Sequence, residues 1–131
     1  MKHDLKTIED IKILIDSFYT KVQADETLGP VFNKAENFNW DTHIPIMYNF
    51  WETLLFAKTG YKGNPVRTHI ELNRRVPLTD SHFSRWKELF FMTLDELFSG
   101  PKVNEAKAKV ESMEVLMKIK IKASENPGFI L

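Results

Sequence analysis

The chain has 131 residues, and its 18 Lys plus Arg are matched by 18 Asp plus Glu, so the formal net charge is zero. That length suits one domain spanning residues 1–131. A neutral balance speaks against nucleic-acid or anionic-membrane binding, which needs a concentrated basic face. With no cysteine, disulfides, thiolate nucleophiles, iron–sulfur clusters, zinc fingers and thioether-linked cofactors are excluded.

The N-terminal stretch MKHDLKTIEDIKILIDSFY is broken by charge every few residues and has no uninterrupted apolar core of the signal-peptide kind. No window approaches the length of a spanning helix. A cytoplasmic location without membrane attachment is the expectation, and a cysteine-free chain fits a reducing compartment. A first helix is predicted from about Thr7 to Asp25, with Ile8, Ile11, Ile15, Phe18 and Val22 repeating in steps of three and four. Thr7 and Asp10 have capping-box spacing. Tyr19 borders the apolar face. Leu28, Gly29 and Pro30 break this helix, and Val31 with Phe32 forms an apolar corner.

A polar connection from Asn33 to Asn39 leads to a second helix, about Asp41 to Ala57. Its face carries His43, Met47, Phe50 or Trp51, and Leu54. Pro45 is tolerable only early in a helix, which puts the start at Asp41 or Thr42. Thr59 to Pro65 has turn chemistry, a short segment from Val66 to Leu72 carries His69, and Asn73 to Leu78 reads as loop. Thr79, Asp80 and Ser81 offer caps for a third helix ending near Phe98, with Phe83, Trp86, Leu89 or Phe90, Thr93 or Leu94, and Leu97 inward. A last helix runs from about Asn104 to Ala123, with Val110, Met113, Leu116 or Met117, and Ile121 inward. Residues 124–131 form a loose tail. No alternating strand or repeat is present, so the class is all-α.

Four side chains carry the chemistry. His69 reads two ways: as a surface or helix-capping histidine, or as an axial iron ligand through a neutral imidazole. One axial bond suffices when a macrocycle supplies the rest, whereas zinc needs three or four protein ligands. His43 is a satisfied core histidine, a donor to a ligand across the cofactor, or itself a second ligand to iron. Tyr19 and Trp86 bring an O–H and an N–H into apolar faces, where each needs a partner. Three helices thus aim one polar group each at a common interior. His3 reads as solvated, and His82 as part of a helix cap. The charges from Lys102 to Lys109 read as a solvated face.

The segments FYTKVQADETLGPVFN, WDTH with NFW, YKGNPVRTH and PLTDSHFSRWKELF together resemble the group III truncated haemoglobins, over about Ile8 to Met117. The lack of paired glycine hinges at the first turn also resembles this group. The resemblance implies a shortened globin fold, a two-over-two helical sandwich around haem b. It implies His69 as the metal ligand, with Tyr19, His43 and Trp86 as distal residues that stabilise a bound ligand. Phe32 corresponds to the phenylalanine wedged against the haem, and Met47 lies one turn beyond His43. Arg67, Arg74 and Arg75 are the nearest cations for the cofactor's carboxylates, with surface exposure as their default reading. The function implied is binding of dioxygen or another small diatomic ligand with slow release, served by an unidentified reductase. Peroxidase-like or nitric-oxide-converting turnover and a six-coordinate sensor or electron carrier are the alternatives, beside a cofactor-free interaction domain.

Overall fold

The computed structural model describes residues 2–35, 38–58, 61 and 63–125, with the backbone alone at Arg75. The described residues form six helices and no strand: α1 (Ile8–Ala24), α2 (Gly29–Lys34), α3 (Trp40–Phe56), α4 (Pro65–Arg75), α5 (Asp80–Leu97) and α6 (Pro101–Ser124). None is long and apolar enough to cross a membrane. Thr59, Gly60 and Lys62 of the expected turn, and 126–131 of the expected tail, lie outside the described residues.

Local sequence accounts for most of the boundaries. Thr7 Oγ1 accepts from the Asp10 N–H at 3.3 Å, and Asp10 Oδ2 accepts from the Thr7 N–H at 3.2 Å, closing the capping box of α1. His3 is not simply solvated, because its Nε2 lies 3.0 Å from Asp10 Oδ1 and its ring meets the edge of Phe98. Asp25 ends α1 and accepts from the N–H groups of Thr27 and Leu28, both at 3.0 Å.

Beyond that turn the chain does more than bend. Pro30, in the first turn of α2, starts a six-residue helix where a plain corner was expected. Asn39 accepts from the Asp41 and Thr42 N–H groups, so α3 starts at Trp40, ahead of the expected Asp41 or Thr42. Pro45 therefore sits in the second turn, and the Asp41 carbonyl has no donor from residue 45. Helix α4 is longer than the expected 66–72 and absorbs part of the expected loop. Helix α6 begins at Pro101 instead of Asn104.

Helix α1 packs on α3 and α5, while α6 packs on α5 and α4. The long helices thus pair as α1 with α3 and α5 with α6, joined where α1 meets α5. The apolar faces expected from spacing meet in one core. Ile11, Ile15, Phe18, Val22, Phe90, Leu94 and Val110 are all at most 1% exposed. Burial of each such side chain stabilises by about 1.5–3 kcal/mol before entropy is counted. Of the paired options along the faces, Trp51 is buried, Phe90 is fully buried, and Met117 lies inward while Leu116 is 46% exposed.

An aromatic spine runs through this core. Phe90 stacks on Trp51 at 4.8 Å and on Trp86 at 5.3 Å, and meets Phe18 edge-on at 5.0 Å. The Trp86 ring is fixed between Phe90 and the perpendicular Phe18 ring at 5.5 Å.

Candidate functional site

A cavity of about 240 Å³ opens beside this spine, and all six helices contribute to its wall. A single buried water needs about 10–15 Å³ measured the same way, so the space suits a far larger occupant. Tyr19 reaches it from α1, Phe32 from α2, His43 and Met47 from α3, His69 from α4, Trp86 from α5 and Met113 from α6. The wall is mostly apolar, and its few polar groups determine what the cavity can hold.

His69 lies one turn after the start of α4. Asn64 caps that helix through its Oδ1, which accepts from the Arg67 N–H at 3.0 Å, and Pro65 sets the first helical φ. The His69 ring folds back toward the Pro65 carbonyl, with Nδ1 2.6 Å from the oxygen. A carbonyl only accepts, so the ring proton sits on Nδ1 and Nε2 keeps a free lone pair. Burial lowers the pKa of His69 below its ordinary value, against the opposing pull of the carbonyl. The imidazole is therefore neutral and oriented, which a metal ligand requires.

Tyr19 and His43 meet inside the cavity wall, with the Tyr19 hydroxyl 3.2 Å from His43 Nε2. Tyr19 is 4% exposed, and burial holds its phenol well above the ordinary tyrosine range. The phenol is thus a proton donor at any working pH. Burial and then the nearby His69 bring the His43 pKa down to about 4. Both imidazoles are neutral near pH 7. Trp40 and Phe32 pack against Tyr19, and Phe38 packs against His43 at 5.1 Å, so the pair sits in an aromatic enclosure. Trp86 faces the same cavity, and its indole N–H donates to no group among the described residues.

The structure brings Tyr19, Phe32, His43, Met47, His69 and Trp86 to one cavity. Arg67 is not in its wall; Arg67 is exposed and its Nε lies 3.3 Å from Glu71 Oε1. Four polar lining residues lie outside the set expected from the sequence: Tyr61, Thr68, His82 and Glu114. Tyr61 lay in a stretch read as turn, and its only local signal was a large aromatic among glycines. His82 was assigned to the α5 cap, and it does cap: its Nδ1 accepts from the Thr79 N–H at 3.0 Å. Glu114 also reaches the wall, between Lys118 at 2.8 Å and Lys87 at 3.2 Å. Burial would raise its carboxyl, but the two ammonium groups outweigh that and hold it below the usual range.

No protein-family model matches the chain. A group 3 truncated haemoglobin of Campylobacter jejuni, Ctb, is 32% identical over 102 residues, which covers 76% of this chain and 78% of that one. The chain belongs to the group III truncated haemoglobins. The crystal structure of a group III truncated haemoglobin from Campylobacter jejuni matches this truncated haemoglobin with a TM-score of 0.82 and 27% identity, over 92% of this chain and 95% of that one. The 2/2 haemoglobin of Synechococcus sp. PCC 7002, in the cyanomet state and with covalently attached haem, has the same fold. Its TM-score is 0.75 at 24% identity, over 89% of this chain and 93% of that one. The paired layers of this truncated haemoglobin are the two-over-two helical sandwich of that fold.

The residues present fit the group this family implies. Among the described residues no cluster of three His, Cys, Asp or Glu side chains could hold a bare metal ion. One oriented imidazole with a free Nε2, in a large apolar cavity, instead suits a metal that arrives with its own ring of nitrogen ligands.

Proposed function

We propose that this truncated haemoglobin binds haem b through His69 Nε2 and takes dioxygen or another small diatomic ligand in the space faced by Tyr19, His43 and Trp86. The observation that carries the reading is the 2.6 Å contact between His69 Nδ1 and the Pro65 carbonyl, which leaves Nε2 unprotonated in the cavity wall. When bound, haem supplies an iron centre that holds small ligands and exchanges electrons with them.

The chain's own residues supply the rest. Phe32 and Met47 keep water away from the haem pocket. Tyr19 and Trp86 offer an O–H and an N–H from rings held rigid by their neighbours. Donors fixed in an apolar wall stabilise a polarised ligand more than water does, because little reorganisation is needed. Each such bond is worth about 1–3 kcal/mol. Strong retention suits oxidative turnover better than transport, with peroxidase-like or nitric-oxide-converting chemistry as the reaction classes and a reductase as the electron source. Whichever of the two donates, the 3.2 Å approach of the Tyr19 hydroxyl occupies His43 Nε2 and supports five-coordinate iron over a second histidine bond.

The test is the absorption spectrum of the purified protein beside its His69→Gly variant. The parent is expected to be red with a haem Soret band, and the variant to lose the band or shift it. An identical band in both rejects His69 as the ligand. The ferrous, ligand-free spectrum then reads the coordination number directly.

A further inference from the structure

We propose that His82 is the residue that holds a propionate carboxylate of the haem, a role the exposed Arg67 does not fill. The inference rests on the haem reading above. His82 lines the cavity, and its ring orientation is fixed by α5 itself. Nδ1 accepts from the Thr79 N–H at 3.0 Å and lies 3.3 Å from Thr79 Oγ1. A nitrogen that accepts an N–H carries no proton, so the neutral ring keeps its proton on Nε2. That N–H has no partner among the described protein groups. Leu72, Leu78 and Phe83 line the same cavity.

An unpartnered N–H on a ring that lines an apolar cavity selects for an acceptor on the occupant. Several other polar groups of the wall have protein partners, while the Trp86 N–H is left for the ligand side. Tyr19 and His43 face each other, His69 Nδ1 is on Pro65, and Thr68 Oγ1 donates to the Asn64 carbonyl at 3.0 Å. The charges near His82 are mixed and mutually paired, so the case for an anion there rests on the Nε2 N–H. Lys118 lies 5.7 Å from the Phe83 ring and, with Lys87, brackets Glu114, so two ammonium groups face one half-buried carboxylate there. The other carboxylates at this rim belong to Asp80, whose side chain is 90% exposed, and to Glu111, 58% exposed, and water screens both. A propionate placed at His82 would receive the Nε2 N–H.

The third residue of a capping box can be Gln or Glu, so two variants keep the cap and differ in what they show the cavity. In His82→Gln the amide oxygen serves Thr79 and the NH2 remains a donor. In His82→Glu the donor is gone and a carboxylate faces the propionate. Haem release to a scavenging apoglobin is measured for the holoproteins, loaded either with haem or with its dimethyl ester, which has no free carboxylate. His82→Glu is expected to lose haem at least about tenfold faster than the parent, with His82→Gln within about threefold. With the dimethyl ester, which keeps a carbonyl acceptor but no charge, His82→Glu is expected to release porphyrin no more than about threefold faster than the parent. Equal haem release from His82→Glu and the parent overturns the assignment, and so does an equal acceleration with the ester. A parent that takes up neither porphyrin refutes the haem reading itself.

Discussion

The Tyr19 hydroxyl and His43 Nε2 stand 3.2 Å apart, and only one of them can donate across that gap. If Nε2 accepts, the phenol proton is spent on His43 and, of the three groups facing the ligand, only Trp86 has an N–H to give. If Nε2 carries the proton, it donates to the phenol oxygen and the Tyr19 O–H is released toward the cavity. The tautomer of one histidine thus sets how many donors a ligand meets. Tyr19→Phe and Trp86→Phe are each expected to speed dioxygen release about tenfold or more, since about 1.4 kcal/mol is a factor of ten. His43→Leu, which frees the phenol, is expected to slow release. Stopped-flow displacement of dioxygen measures all three; unchanged rates in both donor variants would reject the donor role.

A pH dependence follows from the junction of α1 and α2. Asp25 has a side chain only 7% exposed, with Oδ1 2.7 Å from Arg85 Nε. Burial alone would raise its carboxyl. The hydrogen bond from Arg85, and those from the Leu28 and Thr27 N–H groups, outweigh burial and hold it below the usual carboxylate range. A carboxyl whose folded pKa is depressed contributes stability that is complete above its unfolded value, about 3.9. That contribution is lost as the pH falls through the lower folded value. Asp25→Ala is expected to cost about 1–3 kcal/mol in urea unfolding at pH 7. The gap between variant and parent should narrow below about pH 4. A gap that does not change with pH would show that the ionised carboxylate is not what stabilises this corner.

The helices with local signals were legible, and those set by distant residues were not. Thr7 with Asp10, and Thr79, announce α1 and α5 within a few residues of their observed starts. The apolar steps along α1 and α5 name the buried face, because 3.6-residue periodicity survives packing. Pro101 suits the first turn of α6, but it also suits the end of α5, and the cap that decides comes from Asp4, 98 residues before Lys102. The tolerance of Pro45 only early in a helix favours a start at Asp41 or Thr42, whereas the Asn39 cap starts α3 at Trp40. The site was legible where a polar ring interrupts an apolar stripe, as at Tyr19, His43 and Trp86. His82 and Tyr61 interrupt no stripe; Tyr61 reaches the cavity by packing on Phe50 of α3, and His82 from the first turn of α5.

Ala57 ends α3 with φ of 55°, the left-handed conformation in which a Cβ crowds the following carbonyl. Ala57→Gly removes that crowding and makes the usual helix stop. The change also loosens the unfolded chain, which works in the other direction. The net expectation is stabilisation of up to about 1 kcal/mol, read as a higher urea midpoint at an unchanged slope. A lower midpoint would mean that the unfolded-state term wins.

Asp4 and Gly100 meet at the other end of the fold, and each needs the other. Asp4 Oδ2 accepts from the Lys102 N–H at 2.9 Å and Oδ1 from the Val103 N–H at 3.1 Å, so the N-terminal segment caps α6. Gly100 makes room for it: φ there is +148°, and a Cβ would fall 2.5 Å from Asp4 Cγ. Asp4→Ala is expected to cost about 1–2 kcal/mol, the usual value for a lost cap. Gly100→Ala is expected to cost more, because strained backbone is added and the carboxylate is displaced. The two losses share one interaction, so the double variant should be less destabilised than the sum of the singles. Urea unfolding of the four proteins decides it, and strict additivity would show that Gly100 is required by its own backbone and not by Asp4.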